Sequence, residues 1–120
     1  VVGMEANPPI YNTNYINDTL SALELIEKVD SEGFKLNLDV GTMVENGEAV
    51  AILKGRESLI NHVHVSEPGL KPIEERQIHC DLCDLLKDCN YKGFVSIEVG
   101  KQEKIEELEK MMKYVEEIFG

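Results

Sequence analysis

Hydrophobic residues follow two different periods along this chain. Every second residue is apolar in the stretches near 1–5, 33–39, 60–66 and 93–99, which is the pattern of β-strands with one buried face. Between these stretches apolar residues recur every three or four positions, which is the pattern of amphipathic helices. The helical segments cover residues 17–29, with Asn17 as N-cap, then 46–59, 74–89 and 102–119. The pattern therefore predicts four consecutive strand–helix units.

This alternation predicts an α/β fold with a parallel sheet and helical crossovers. Successive strands begin about 30 residues apart, which is the usual length of one βα unit. Eight such units close a (β/α)8 TIM barrel, so four of them form half of one, a single domain over residues 1–120. The outer strands of a half barrel keep unpaired backbone groups, and its interior lacks the opposite wall. We expect the missing half to precede Val1 in a longer chain, with another copy of the chain as the alternative.

The net charge of the chain limits the kinds of partner that it is expected to bind. The sequence holds 23 acidic and 12 basic residues, a net charge of −11 at pH 7. An acidic surface repels phosphate groups, so we expect neither nucleic acid nor an anionic membrane as a partner. No apolar run approaches the roughly 20 residues that cross a bilayer.

The third helical segment carries three cysteines and a histidine. Cys80, Cys83 and Cys89 are an odd number within one stretch, unlike a secreted disulfide framework, so we expect a cytoplasmic protein. No second cysteine pair accompanies Cys80 and Cys83, which are therefore expected to be ordinary helix residues. His79 begins the same helix and is expected to be exposed.

Each predicted strand ends in an ionisable residue on the face opposite its apolar side chains. In a barrel the apolar face packs under the helices, so these residues point into the lumen at the C-terminal face, where TIM barrel chemistry lies. They are Glu5, Asp39, His64 and Glu98. Three carboxylates that converge on one point repel one another unless a cation lies between them. An oxygen-rich set with one imidazole predicts a divalent metal, Mn²⁺, Mg²⁺ or Co²⁺, with Zn²⁺ as a further candidate.

Four motifs around these residues resemble one superfamily of enzymes. GMEANPP, LDVGTM, HVHVSEP and GFVSIEVG occur in this order, and together they resemble the xylose isomerase-like TIM barrel superfamily of sugar isomerases and epimerases. The closest likeness is to its tagatose/psicose 3-epimerase and hydroxypyruvate isomerase branches. The resemblance covers nearly the whole chain and implies that it is the C-terminal half of the barrel.

The resemblance also implies a ligand set and a reaction. It assigns Glu5, Asp39, His64 and Glu98 as ligands of a divalent metal. Glu5 and Glu98 would also be the catalytic pair that transfers protons on opposite faces of the sugar. The metal polarises the sugar oxygens, one carboxylate removes the acidified proton to give a cis-enediolate, and the same or the opposite carboxylate returns a proton. The implied function is a metal-dependent isomerase or epimerase of a small-molecule sugar or sugar derivative.

Five further residues are candidates for substrate contact, namely Asn7, Lys35, His62, Glu67 and Lys71. Asn7 serves equally well in a turn before two prolines, Lys35 could instead balance the lumen carboxylates, and His62 could simply fill the barrel. By the resemblance, Glu67 matches an acidic residue three positions after the histidine ligand. Lys71 is the nearest cation in the same segment.

The chain departs from the family pattern, and these departures keep other functions open. Family members often carry His where this chain has Thr42, and the tagatose type has a further Glu where it has Tyr11. Residues 67–76 replace an Arg- and Gly-rich segment. An inosose-type dehydratase, which uses the same metal and enediolate before expelling a hydroxyl, is therefore an alternative. Another is a non-catalytic fragment that self-associates through open sheet edges. The isolated chain is expected to be inactive because the opposite wall of the pocket is missing.

Overall fold

Four parallel strands, each followed by a helix, form the described part of the chain. The computed structural model describes residues 1–12 and 15–120. The strands are β1 (Val2–Met4), β2 (Phe34–Asp39), β3 (Ile60–Val65) and β4 (Phe94–Ile97). The helices are α1 (Thr19–Val29), α2 (Val40–Asn46), α3 (Gln77–Asp88) and α4 (Ile105–Phe119), with short 3-10 helices at Pro9–Tyr11, Val50–Leu53, Glu57–Leu59 and Pro68–Leu70. Within the described residues, no helix has the length and apolar character needed to cross a membrane.

The strands lie in one sheet in the order β1-β2-β3-β4, and every neighbouring pair is parallel. Asp39 of β2 pairs with His64 of β3, and His64 pairs with Ser96 of β4, so the C-terminal ends of these strands lie side by side. β1 and β4 form the two edges of the sheet. The predicted α/β fold of four parallel strand–helix units is confirmed.

The helix-facing side of the sheet forms the core, as the strand period predicts. Leu36 and Leu38 of β2 are 1% and 0% exposed, and Val63 of β3 is fully buried. They belong to one hydrophobic cluster with Leu23 and Ile26 of α1. Each such side chain contributes about 2 kcal/mol through burial. The alternate residues of β2 and β3 face the other side of the sheet and are partly exposed, so that side is free to carry polar chemistry.

The second helix lies earlier in the chain than the hydrophobic pattern indicates. The prediction of a helix over residues 46–59 is wrong, because α2 begins at Val40, directly after β2, and two 3-10 helices follow it. The Asp39 carboxylate accepts a hydrogen bond from the backbone N–H of Thr42 at 2.9 Å and so caps the helix. Gly47, at φ 65°, ends the helix in the left-handed conformation that glycine adopts without strain.

The other helix ends are also set by caps and by the loops before them. The N-cap of α1 is Asp18 and not Asn17, because the Asp18 carboxylate accepts a hydrogen bond from N–H of Ser21 at 2.7 Å. Helices α3 and α4 begin at Gln77 and Ile105, a few residues after their predicted starts. For α1, α3 and α4 the apolar period thus locates the helix but not its first residue.

His79 is fully buried between α3 and α4, so the prediction that it is exposed is wrong. Its Nδ1 lies 2.6 Å from the hydroxyl oxygen of Tyr114, and its ring lies beside that of Phe119. Its Nε2 has no hydrogen-bond partner among the described residues. Burial lowers the pKa of His79. The negative charge of Glu67 partly offsets this effect, and the positive charge of Arg76 adds to it.

Acidification is expected to destabilise the chain through His79. Because the folded chain holds the pKa of His79 below its ordinary value of 6.5, the unfolded chain takes up the proton first. The free energy of unfolding should therefore fall as the pH drops below about 6.5 and should be unaffected by His79 above that pH. Urea unfolding followed by circular dichroism at pH 7.5 and 5.5 measures the difference. An equal pH dependence in His79→Gln would contradict this assignment.

Candidate metal centre

Three of the four predicted ligands meet beyond the C-terminal end of the sheet. Nδ1 of His64 lies 3.0 Å from Oε2 of Glu98 and 3.5 Å from Oε2 of Glu5. One ligand atom from each of the three residues lies within 4.8 Å of the other two. Glu5 directly follows β1, His64 lies in β3, and Glu98 directly follows β4, so the parallel sheet itself brings the three side chains together. We call this group the Glu–His–Glu cluster.

The imidazole of His64 has a nitrogen that the protein leaves unsatisfied. Nδ1 is buried and lies at ion-pair distance from both carboxylates, but it makes no hydrogen bond of regular geometry within the described residues. A buried nitrogen without a well-formed hydrogen bond is costly, and a bound cation would relieve that cost. One imidazole nitrogen facing two carboxylate oxygens is a donor set that fits a divalent metal.

The charges of the cluster also favour a bound cation. Burial, together with the negative charges of Asp39 and Glu98, raises the pKa of Glu5, and His64 only partly offsets these effects. A divalent cation among these groups would supply the missing positive charge. The side chains of Glu5 and Glu98 are 30% and 42% exposed, so an ion or a small molecule could reach them from solvent.

Asp39, the fourth predicted ligand, lies beside the cluster and is already engaged by the protein. Its Oδ2 accepts hydrogen bonds from N–H of Thr42 at 2.9 Å and from the Thr42 hydroxyl at 2.8 Å. Its Oδ1 accepts a hydrogen bond from the hydroxyl of Ser66 at 2.7 Å. An ionised carboxylate offers about four lone-pair sites, so these three bonds leave capacity for one further ligand bond.

Pattern-based reasoning missed Thr42 and Ser66 as parts of this site. The Asp-x-x-Thr spacing of residues 39–42 is a recognisable helix-start signal, since the side chain of an N-cap residue binds the backbone three positions later. No local pattern indicates the contact of Ser66 with Asp39, because it joins two residues 27 positions apart, Asp39 at the end of β2 and Ser66 directly after β3.

His62 lies next to the cluster on the same face of the sheet. Its ring meets the His64 ring edge-on at a centroid distance of 4.8 Å, and its Nε2 lies 2.8 Å from the hydroxyl oxygen of Ser96. Burial and the neighbouring His64 lower the pKa of His62. A neutral imidazole held by Ser96 can support the orientation of His64, and it stays a candidate for substrate contact.

The three remaining candidates for substrate contact lie at different ends of the sheet. Asn7 is half-buried two residues beyond Glu5, and its backbone N–H donates to the carbonyl of Ile16 at 3.2 Å. Lys71 is exposed in the loop that follows β3. Lys35 lines a shallow surface cavity with residues of the α1–β2 connection, at the N-terminal end of the sheet. The structure therefore keeps Lys35 away from the Glu–His–Glu cluster.

Glu67 is buried and forms an ion pair within the protein. Its side chain is 3% exposed, and both carboxylate oxygens accept hydrogen bonds from Nε of Arg76, at 3.0 and 2.9 Å. Nη2 of Arg76 adds a third contact at 2.6 Å. The ion pair closes the ends of the 67–76 loop, and the contact of Glu67 with a sugar stays a prediction.

The 67–76 loop also bridges the ends of two other strands. The backbone N–H of Gly69 donates to the hydroxyl of Tyr11, in the segment after β1, at 2.9 Å. The backbone N–H of Gly100, just after β4, donates to the carbonyl of Leu70 at 2.9 Å. Tyr11 stands where the resemblance implies a further Glu, and here its side chain serves as a bridge between loops.

Solved structures with this fold include several sugar epimerases. D-psicose 3-epimerase from Clostridium cellulolyticum H10, solved with D-tagatose, matches with a TM-score of 0.80 over 98% of this chain and 48% of its own, at 18% identity. The 3-keto-D-glucoside 4-epimerase from E. coli matches with a TM-score of 0.72 over 88% and 41%, at 19% identity. L-ribulose 3-epimerase matches with a TM-score of 0.68 over 92% and 38%, at 22% identity. No family model and no curated protein matches this chain by sequence.

These likenesses confirm the fold that the motifs predict. The chain has the architecture of half a (β/α)8 barrel of the kind found in these sugar epimerases. It spans about half the length of the epimerases it matches. Shared fold does not establish shared activity, so these likenesses show the fold alone.

Proposed function

We propose that this chain forms the metal-binding half of a sugar isomerase or epimerase. The observation that carries the proposal is the Glu–His–Glu cluster, with a buried and unsatisfied imidazole nitrogen between two carboxylates. The C-terminal ends of the strands are the place where barrel enzymes hold their active sites. The epimerase activity of the structural neighbours supports a sugar as the substrate class.

The residues of the cluster would divide the work of holding the metal and moving protons. Glu5, His64 and Glu98, joined by Asp39, would hold a divalent metal such as Mn²⁺, Mg²⁺ or Co²⁺. The bound metal would polarise the carbonyl and hydroxyl oxygens of the sugar and so acidify the C–H beside the carbonyl. Glu5 or Glu98 would take that proton to give a cis-enediolate, and the same or the opposite carboxylate would return one.

The opposite wall of the substrate pocket would come from further strand–helix units, in a longer chain or in a second copy. Strands β1 and β4 each have a neighbour on one side within the described sheet. A groove of about 920 Å³ between β4 and α4 is lined by apolar side chains that include Val95, Leu108, Met112 and Phe119. An exposed apolar groove beside an open sheet edge is a suitable place for a further strand to pack. We therefore expect the isolated chain to bind metal and to lack turnover.

Metal binding can be tested on this chain because all four proposed ligands belong to it. Calorimetric titration with Mn²⁺ or Co²⁺ should detect one site per chain. His64→Gln should weaken binding by more than the roughly 10- to 100-fold typical of losing a supporting residue, because it removes the nitrogen ligand itself. His79→Gln, the same substitution on α3 outside the Glu–His–Glu cluster, is the matched control at pH 7.5 and should change the affinity far less. No binding to the wild-type chain, or equal losses in both variants, would contradict the proposal.

The reaction itself is tested on the complete barrel with a panel of ketoses, hydroxypyruvate and inososes in D₂O. An isomerase or epimerase should exchange the proton beside the carbonyl for deuterium and should give an isomer of equal mass apart from that label. A dehydratase on the same site would give a product lighter by one water. Treatment with EDTA should stop either reaction, and restored Mn²⁺ should return it. Turnover that survives complete metal removal would overturn the proposed chemistry.

A further inference from the structure

Ser66 joins the ends of β2 and β3 through one buried hydroxyl. The side chain is 1% exposed, and its Oγ accepts a hydrogen bond from the backbone N–H of Gly41 at 3.0 Å. The same hydroxyl donates to Oδ1 of Asp39 at 2.7 Å. Its single proton is therefore directed to the Asp39 carboxylate, and its lone pair is directed to the start of α2.

Thr42 holds the other oxygen of the same carboxylate. It is 1% exposed, and its backbone N–H donates to Oδ2 of Asp39 at 2.9 Å. Its hydroxyl lies 2.8 Å from Oδ2 of Asp39 and 3.0 Å from the carbonyl oxygen of Ala6, which directly follows Glu5. The single hydroxyl proton of Thr42 is thus shared between the Asp39 carboxylate and the Ala6 carbonyl. Thr42 therefore connects Asp39 to the segment that carries Glu5.

From these contacts we infer that Ser66 and Thr42 are positioning residues that hold the Asp39 carboxylate for the metal. The inference rests on the proposed function and extends it to residues that do not contact the ion. An ordinary N-cap needs one acceptor oxygen, and the bonds to Thr42 already supply it. The separate bond from Ser66 to the second oxygen immobilises the whole carboxylate and keeps its remaining lone pair in one direction.

Gly41 offers an independent way to disturb the same arrangement. A Cβ atom at this position would lie 2.6 Å from Oγ of Ser66 and 3.2 Å from the backbone carbon of Glu67. Gly41→Ala should therefore push the Ser66 hydroxyl away from Asp39 without removing any polar group. If Ser66 acts by positioning, this variant should reproduce the effect of Ser66→Ala.

The test is the affinity and the visible absorption spectrum of Co²⁺ bound to the full chain. Ser66→Ala and Thr42→Val should each weaken Co²⁺ binding by about tenfold or more and should shift the absorption bands, because a released carboxylate changes the coordination. Thr42→Ser keeps the hydroxyl and should restore the wild-type affinity and spectrum. Ser58→Ala is the control, since Ser58 is exposed in the 3-10 helix Glu57–Leu59, before β3 and far from its C-terminal end. Urea unfolding of every variant records any change in stability.

The outcomes separate this inference from the proposed function. The inference would be overturned if Ser66→Ala and Thr42→Val lost stability but bound Co²⁺ as the wild type does. That result would show that both residues only cap α2. If Ser66→Ala is too unstable to titrate, Gly41→Ala replaces it, and if Thr42→Val is too unstable, Thr42→Ala replaces it, because each substitute disturbs the same hydroxyl contact to Asp39. A wild-type chain that binds no Co²⁺ would overturn the proposed function, and this inference with it.

Discussion

Replacing Glu98 by Gln is expected to lower turnover of the complete barrel by about 10²- to 10⁴-fold, the usual contribution of one proton-transfer group. The amide of Gln keeps the size of the side chain but cannot accept the substrate proton. Because Glu98 is also a proposed metal ligand, with its Oε2 3.0 Å from Nδ1 of His64, the same change is expected to weaken metal binding. Turnover is therefore measured at saturating Mn²⁺, and the bound metal is counted in each sample.

Glu5→Gln is the natural counterpart, because the two carboxylates are proposed to serve opposite faces of the sugar. With one base removed, the remaining carboxylate can still exchange a proton of one epimer with solvent, although it cannot complete the conversion. NMR in D₂O should therefore find exchange of different epimers in the two variants. Glu103→Gln, an exposed residue with the same change in charge, should leave turnover unaltered. Unchanged turnover in Glu98→Gln would show that Glu98 is not a proton-transfer residue.

The strands and the faces of their side chains could be predicted because the period of two is a local property. Alternation alone indicates that His64 and Glu98 lie on the side away from Leu36 and Val63, whatever packs against them later. The parallel order then brings three of the four predicted ligands together. This part of the site follows from the pattern because it needs no knowledge of any side-chain contact.

The apolar period does not locate α2 or predict the burial of His79, because a helix cap and a distant contact decide them. The apolar run at residues 50–53 resembles a helical face, but the cap at Asp39 and the left-handed Gly47 place the helix earlier. The burial of His79 depends on Tyr114, 35 positions later in the chain. Periodicity within one segment carries no information on such a partner.

The same limit applies to the charged residues of the 67–76 loop. A run with three glutamates, one lysine and one arginine has no period that indicates which charges meet. The fold decides it, because the end of β3 and the start of α3 bring Glu67 and Arg76 together. Glu74 also contacts the Arg76 guanidinium, at 2.8 Å, but its side chain is largely exposed to water. The buried carboxylate of Glu67 is therefore the one that depends on Arg76 to balance its charge.

Replacing Arg76 by Ala is expected to lower the free energy of unfolding by about 3 kcal/mol. The Glu67 side chain is 3% exposed and would lose the guanidinium that satisfies both of its oxygens. Only the N–H of Glu74, at 3.4 Å, would remain as a donor to it among the contacts of this loop. The expected loss is at the lower end for a buried pair because the Arg76 side chain is 32% exposed. Urea unfolding followed by circular dichroism measures it.

Two further variants distinguish a lost ion pair from lost packing. Arg76→Lys keeps the charge but cannot make the two-pronged contact, so it should recover only part of the stability. Glu67→Gln in the Arg76→Ala background removes the stranded charge and should recover part of it as well. Glu109→Ala, an exposed change on α4, is the control and should have an effect within about 0.5 kcal/mol. If Arg76→Ala costs no more than this control, the Glu67–Arg76 pair does not hold the loop, and the loop must be fixed by its bonds to Tyr11 and Gly100 instead.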